Sequence, residues 1–205
     1  MTRRTNKPAG TRARIAAAAA RLMAEDGIDD FALAKRKAAK QLGAADSQAL
    51  PGNDEIEAEL RAYLALYQAE EHPQRVGELR ELALDAMRAL EQFRPYLTGP
   101  ILKGTAGPYA EIDLQLFPES SKEVELFLLE CNIPFSTQET RRYSGDRVHA
   151  VSVLLLLWQD TPLRLSVFDP RDERVALKTS QAGRVMERAG IAEVGALVRG
   201  DPGPT

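Results

Sequence analysis

Glu111 and Asp113 lie in a stretch, Glu111 to Phe117, whose side chains alternate. Glu111, Asp113 and Gln115 fall on one side, and Ile112, Leu114 and Leu116 on the other. Residues i and i+2 of an extended strand share a face, so the pattern predicts a half-buried strand that presents both carboxylates together. Two like charges so close repel each other and favour a cation. Mg²⁺ suits them because it takes oxygen ligands and works with phosphate groups. Upstream, Gly99 ends a short apolar run, Lys103 and Gly104 follow, and the six residues 105–110 form a loop that leads to Glu111. Glycines let the backbone approach a phosphate closely, and Lys103 can counter phosphate charge.

The stretch from Gly99 to Asp113 resembles the signature of the nucleotidyltransferase superfamily, in particular its minimal members. Their pattern is Gly-Ser, a second Gly shortly after, a loop, and an Asp-x-Asp pair followed by apolar strand residues. The resemblance covers roughly residues 96–170. It implies a phosphate-binding segment carrying Gly99, Lys103, Gly104 and Thr105. It also implies a metal and catalytic pair, Glu111 and Asp113, that holds Mg²⁺ if the protein is active. The reaction it implies is transfer of a nucleoside monophosphate from NTP to an acceptor that the sequence does not name. In the family a third carboxylate, on a later neighbouring strand, completes the metal site.

Three positions depart from that pattern. Pro100 stands where the family has Ser, which removes a hydroxyl and a backbone N–H. Glu111 replaces the first Asp and is one methylene longer, whereas Mg²⁺ demands near-ideal geometry. In the later strand, Leu163 to Phe168, alternation puts Leu163, Leu165 and Val167 toward the core and Arg164 on the open face, at the position suited to the third carboxylate. Asp169 has the wrong parity and lies at the strand end. A guanidinium at 164 can pair with Glu111 or Asp113 in place of a metal, or grip a phosphate without one. As a plain cross-strand ion pair it would contribute only about 0–1 kcal/mol. Three readings follow: an active nucleotidyltransferase, a catalytically silent nucleotide-binding or interaction module on the same fold, and an unrelated α+β domain.

The elements that must position these groups show in the hydrophobic periodicity. Residues 11–94 read as a helical region. Thr11 is a candidate cap for a first helix with Ile15, Ala18, Ala19, Leu22 and Met23 on one face. Asp29 or Asp30 caps a second helix that runs to Gly43, and Asn53 a third with Ile56, Leu60 and Leu64. His72-Pro73 breaks the third helix, and a fourth carries Val76 to Phe93. Residues 95–199 read as strands and helices mixed. Ser120 or Ser121 caps a helix, 135–143 is a strand candidate, Ser144-Gly145-Asp146 and Asp160-Thr161-Pro162 are turns, Val148 to Trp158 is a central strand, and Ile191 to Val198 is a helix. The expected fold class is α+β, an N-terminal helical bundle followed by a nucleotidyltransferase-like mixed sheet with flanking helices. Residues 1–10 and 200–205 are expected to be tails.

Composition bounds the alternatives. The 205 residues are 44% hydrophobic and 28% charged, and no apolar run approaches the length of a spanning helix, so no membrane partner is expected. A single cysteine, Cys131, allows no internal disulfide and suits a cytoplasmic setting. It is read as a buried, inert thiol. His72, expected to be exposed, and His149 have no zinc spacing. Trp158 and Phe168 are expected in the core, and Tyr109 is a candidate for stacking on a base. The net charge of −3 hides a basic front: residues 1–43 hold ten Lys and Arg against four Asp and Glu. That front, Thr11 to Gly43, resembles the start of TetR-type transcription regulators, so nucleic acid is a second possible partner, through Lys35, Arg36, Lys37 and Lys40. The acidic residues Asp54, Glu55, Glu57 and Glu59 that open the next helix argue against a recognition helix there.

Overall fold

The computed structural model describes residues 8–28, 30–44, 50–144, 147–176, 178 and 185–200. The fold is α+β, with seven α-helices and a six-stranded mixed sheet among the described residues. The chain divides into two compact units. One takes residues up to Gln74 together with Thr105–Ala110, and the other takes Arg75–Gly104 and everything from Glu111 onward. No helix among the described residues is long and apolar enough to cross a membrane.

The first unit is built on α1 (Pro8–Asp26), α2 (Phe31–Gln41) and α3 (Asn53–Tyr67). Their core is small-residue rich: Ile15, Ala19, Ala20, Ala34, Ala38 and Ile56 are buried. Small side chains let helices approach closely, which the alanine-rich α1 exploits. Helix α1 starts at Pro8 and not at Thr11, because proline's fixed φ and missing N–H suit a first helical turn. Residues 1–7 and Asp29 lie outside the described residues, as do 45–49, most of the expected loop before α3. Asp30 caps α2, its carboxylate accepting from Leu33 N at 2.7 Å. The cap of α3 is Gly52 and not Asn53. Glu55 reaches back to accept from the Gly52 N–H at 2.6 Å, while Asn53 Oδ1 accepts from Lys35 Nζ at 2.7 Å.

Helix α4 (Glu71–Ala89) begins where the sequence predicts a break, with Pro73 inside its first turn. His72 is buried, 6% exposed, and not solvated as its place beside a proline suggests. Its Nε2 lies 3.1 Å from the Ala106 carbonyl, so the segment 105–110 covers it. In the same unit Gly27 sits at φ +65, and a Cβ there would stand 2.7 Å from the Tyr109 ring. Tyr109 is otherwise 78% exposed.

The second unit is the sheet. Its strands are β1 (Tyr96–Thr98), β2 (Ile112–Leu116), β3 (Phe135–Ser144), β4 (Arg147–Trp158), β5 (Thr161–Val167) and β6 (Arg188–Ala189), in the order β3-β4-β5-β2-β1-β6. Among the described residues only β2 and β5 pair in parallel. Between β1 and β2 the chain makes the short helix α5 (Gly99–Lys103), and between β2 and β3 it makes α6 (Ser121–Glu130), capped by Ser120. Helix α7 (Ile191–Arg199) closes the described chain. One sheet face carries Leu97, Ile112, Leu114, Leu116, Leu154, Leu163 and Leu165, all buried, which is the core of the unit. The other face has a smaller apolar cluster of Phe117, Val151, Val153 and Phe168, with Val175 against it.

The β4–β5 hairpin turns on Gln159 and Asp160, with φ of 46° and 65°, one residue earlier than expected. Positive φ at both positions matches the twist of a two-residue hairpin. Asp85 of α4 offsets the strain, accepting from Trp158 Nε1 at 2.9 Å and Gln159 Nε2 at 2.8 Å. Residues 145–146 of the expected β3–β4 turn lie outside the described residues. Cys131, expected in the core, caps the C-terminus of α6 and is exposed, since the apolar face of α6 turns Val124 and Leu128 inward instead.

Glu55 links charge to the stability of the helical unit. Hydrogen bonds from Arg12 (Nε at 2.9 Å) and from the Gly52 N–H hold its carboxyl down at about 2, well below the usual carboxylate range. A depressed folded-state value contributes stability above the unfolded value that is lost as pH falls through the folded one. Glu55→Gln should therefore melt at a lower temperature than the parent chain at pH 7. The gap should close as pH drops from about 4.5 towards 2, read by circular dichroism melts. A gap that stays constant over that range would contradict the role assigned to the charge.

Candidate functional site

The parallel pair β2–β5 brings the expected residues together. Its register sets Asp113 beside Arg164 and Gln115 beside Ser166, while on the other side of β2 Asp113 faces Thr98. Paired residues share a face, so Asp113 and Arg164 project from the same side of the sheet. Arg164 Nη2 lies 2.6 Å from Glu111 Oε1, and its Nε lies 3.8 Å from Asp113 Oδ1. The three side chains are each about a third exposed, at 33%, 36% and 30% for Arg164, Glu111 and Asp113. Glu111 itself precedes the strand, so the Glu111–Asp113 spacing begins one residue ahead of the β2 ladder.

The glycines serve this arrangement through backbone conformation. Gly99 opens α5 at φ +76, a region that strains any L side chain. A Cβ there would come within 3.5 Å of the Asp113 carboxylate, so the start of α5 sits against Asp113. Gly104 ends the helix at φ +70. Lys103 is the last residue of α5, and Pro100 is accepted in its first turn. Thr105 is buried and belongs to the helical unit. Asp169 serves as a cap, accepting from Arg171 N at 2.8 Å at the start of the 3₁₀ turn Pro170–Arg174.

Two further arginines have no signal in the sequence pattern. Arg80 of α4 donates to the Ile101 and Leu102 carbonyls at 3.1 and 2.9 Å, which satisfies the C-terminal end of α5 and fixes it. Burial pushes its guanidinium below the usual value. Arg142 of β3 donates to Thr140 Oγ1 at 3.1 Å and to the Arg141 carbonyl at 3.2 Å. Burial lowers its value too, Asp113 opposing that shift and Arg164 reinforcing it. Asp113 thus lies in the field of two guanidiniums. The Nε atoms of Arg142 and Arg164 are both buried with no hydrogen-bond partner among the described residues. Arg80 sits in a helical pattern like any solvated arginine. Arg142 is revealed only by the β3–β4 register, which pairs it with His149.

Arg164 competes with Mg²⁺ for this carboxylate pair. That ion demands about six oxygens in octahedral array, and the space beside Glu111 and Asp113 is filled by the nitrogen donors of Arg164. Among the described residues no group of three or more His, Cys, Asp or Glu side chains could hold a metal. Glu111 and Asp113 balance the charges of Arg164 and Arg142, so what Arg164 can do is orient an anion that displaces Glu111 from it. Arg164 offers a planar fork of donors, and Glu111, a side chain about as exposed as Arg164, can release it to water.

No protein-family model, no curated protein and no solved structure matches this chain.

If Arg164 keeps a metal out, exchanging it for a carboxylate should let one in. Arg164→Asp should bind Mn²⁺ measurably in a calorimetric titration, where the parent chain gives no heat at the same concentrations. Failure of the folded variant to gain Mn²⁺ binding would show that residue 164 does not stand at a metal position.

Proposed function

We propose that this chain is a catalytically silent nucleotide-binding module, with a sheet of the nucleotidyltransferase type that has exchanged its metal for an arginine. The observation that carries this reading is the 2.6 Å contact of Arg164 with Glu111, beside Asp113, on adjacent parallel strands. Supporting it are the sequence likeness from Gly99 to Asp113, the turn at Gly99 against the Asp113 carboxylate, and β2 set between antiparallel β1 and parallel β5. In this reading the triphosphate replaces Glu111 on the Arg164 guanidinium. Lys103 and Arg142 add positive charge, and no divalent ion bridges phosphate to protein. Charge neutralisation without a metal binds the ground state but leaves no group to activate an acceptor oxygen against the α-phosphate. Nucleotidyl transfer is therefore absent.

Of the basic N-terminal residues, Arg12 and Lys35 are engaged with Glu55 and Asn53. The Arg12 charge is thus paired, while Lys35 donates to a neutral amide and keeps its charge.

Isothermal titration of ATP should give the same affinity with Mg²⁺ and with EDTA, and Arg164→Ala should lose about tenfold or more, the worth of a bidentate charged contact. No pyrophosphate should appear from any NTP with Mg²⁺ or Mn²⁺. Pyrophosphate release, or affinity that vanishes in EDTA, would restore the enzyme reading.

A further inference from the structure

Gln115 lies one step along the β2 face from Asp113 and is 1% exposed. Its carboxamide carries two donor hydrogens and an acceptor oxygen. Its one hydrogen-bond partner among the described residues is a thioether, Met186 Sδ, at 3.8 Å. A buried amide with no nitrogen or oxygen partner among the described residues is unfavourable, and a leucine at the same place would leave no polar group unmatched. The amide lines a cavity of about 260 Å³ with Arg174, Val175, Val185, Met186 and Arg188. Arg188 is held as a wall. Its guanidinium lies 4.9 Å from the Tyr96 ring centre and 5.3 Å from that of Phe117, and it donates to the Glu173 carbonyl.

We infer that this cavity takes the adenine base of the bound nucleotide, with Gln115 reading its edge. The proposal rests on the nucleotide-binding reading above and adds what selects the base. The walls suit a flat heteroaromatic ring, with valine and methionine side chains for its faces and guanidinium planes at the rim. The polar group suits adenine: a carboxamide pairs donor to acceptor and acceptor to donor with the N6 amino group and a neighbouring ring nitrogen, whereas guanine's O6 and N7 present two acceptors. The spacing also fits. Asp113 and Gln115 are about 7 Å apart along the strand, a separation that a ribose spans between its base and its 5′-phosphate. One molecule can therefore reach Arg164 with its phosphates and Gln115 with its base.

The test titrates ATP, GTP and inorganic tripolyphosphate, all in EDTA, into the full chain and into Gln115→Leu. In the parent chain ATP should bind about tenfold or more tightly than GTP or tripolyphosphate. Gln115→Leu should bring ATP down to the tripolyphosphate level and leave tripolyphosphate itself unchanged. Gln115→Glu, which keeps the shape and removes the donor, should lose the same preference and serves if the leucine variant does not fold. Equal binding of ATP and tripolyphosphate by the parent, or a preference for ATP that survives in the folded variants, overturns the base pocket and leaves the Arg164 reading standing. No binding of any of the three overturns both.

Discussion

The arrangement depends on one pairing, the parallel alignment of β2 with β5. Among the described residues it is the only parallel contact in the sheet, and its register decides which residue stands beside Asp113. Parallel strands are usually buried on both faces. Here one face holds the leucine-rich core, while the other carries Asp113, Gln115, Arg164 and Ser166 in a row. A slip of one residue would turn Arg164 into the core and bring Leu163 or Leu165 beside Asp113, in place of a charged strand neighbour. The ion pair with Glu111 and the apolar alternation of both strands favour the same register, and this agreement makes the site well defined.

The arginine changes what such a face can do. Carboxylates gathered on a strand are a liability until a cation joins them, and the cation can be exchangeable or covalently fixed. A divalent ion brings Lewis acidity and open coordination positions. A guanidinium brings charge and directed donors, and it never leaves the chain. Arg142 adds a second fixed charge from β3, at the cost of its own burial. Under the proposed function, an arginine in place of a metal exchanges chemistry for recognition.

Much of this is legible in the amino-acid sequence. Strict alternation from Glu111 to Leu116 and from Leu163 to Val167 marks both strands and puts Arg164 on the carboxylate face. Other features depend on which distant segment covers a residue. His72 reads as exposed beside its proline because nothing local shows that 105–110 lies over it. Gln115 is visible as a neighbour of Asp113 on one face, but the residues that surround its amide, Arg174, Val175, Met186 and Arg188, lie in a stretch without strong periodicity. Arg142 cannot be placed without the β3–β4 register. The start of α1 at Pro8 and the cap of α3 at Gly52 lie one to three positions from Thr11 and Asn53, because several residues near each start are competent and packing chooses among them.

The most direct measurement is a crystal structure of the chain grown with ATP and Mn²⁺, with anomalous diffraction used to locate manganese. Triphosphate oxygens should lie on the Arg164 guanidinium, with no anomalous peak at Asp113. A manganese ion bound by Glu111 and Asp113, with Arg164 swung away, would contradict the metal-free reading.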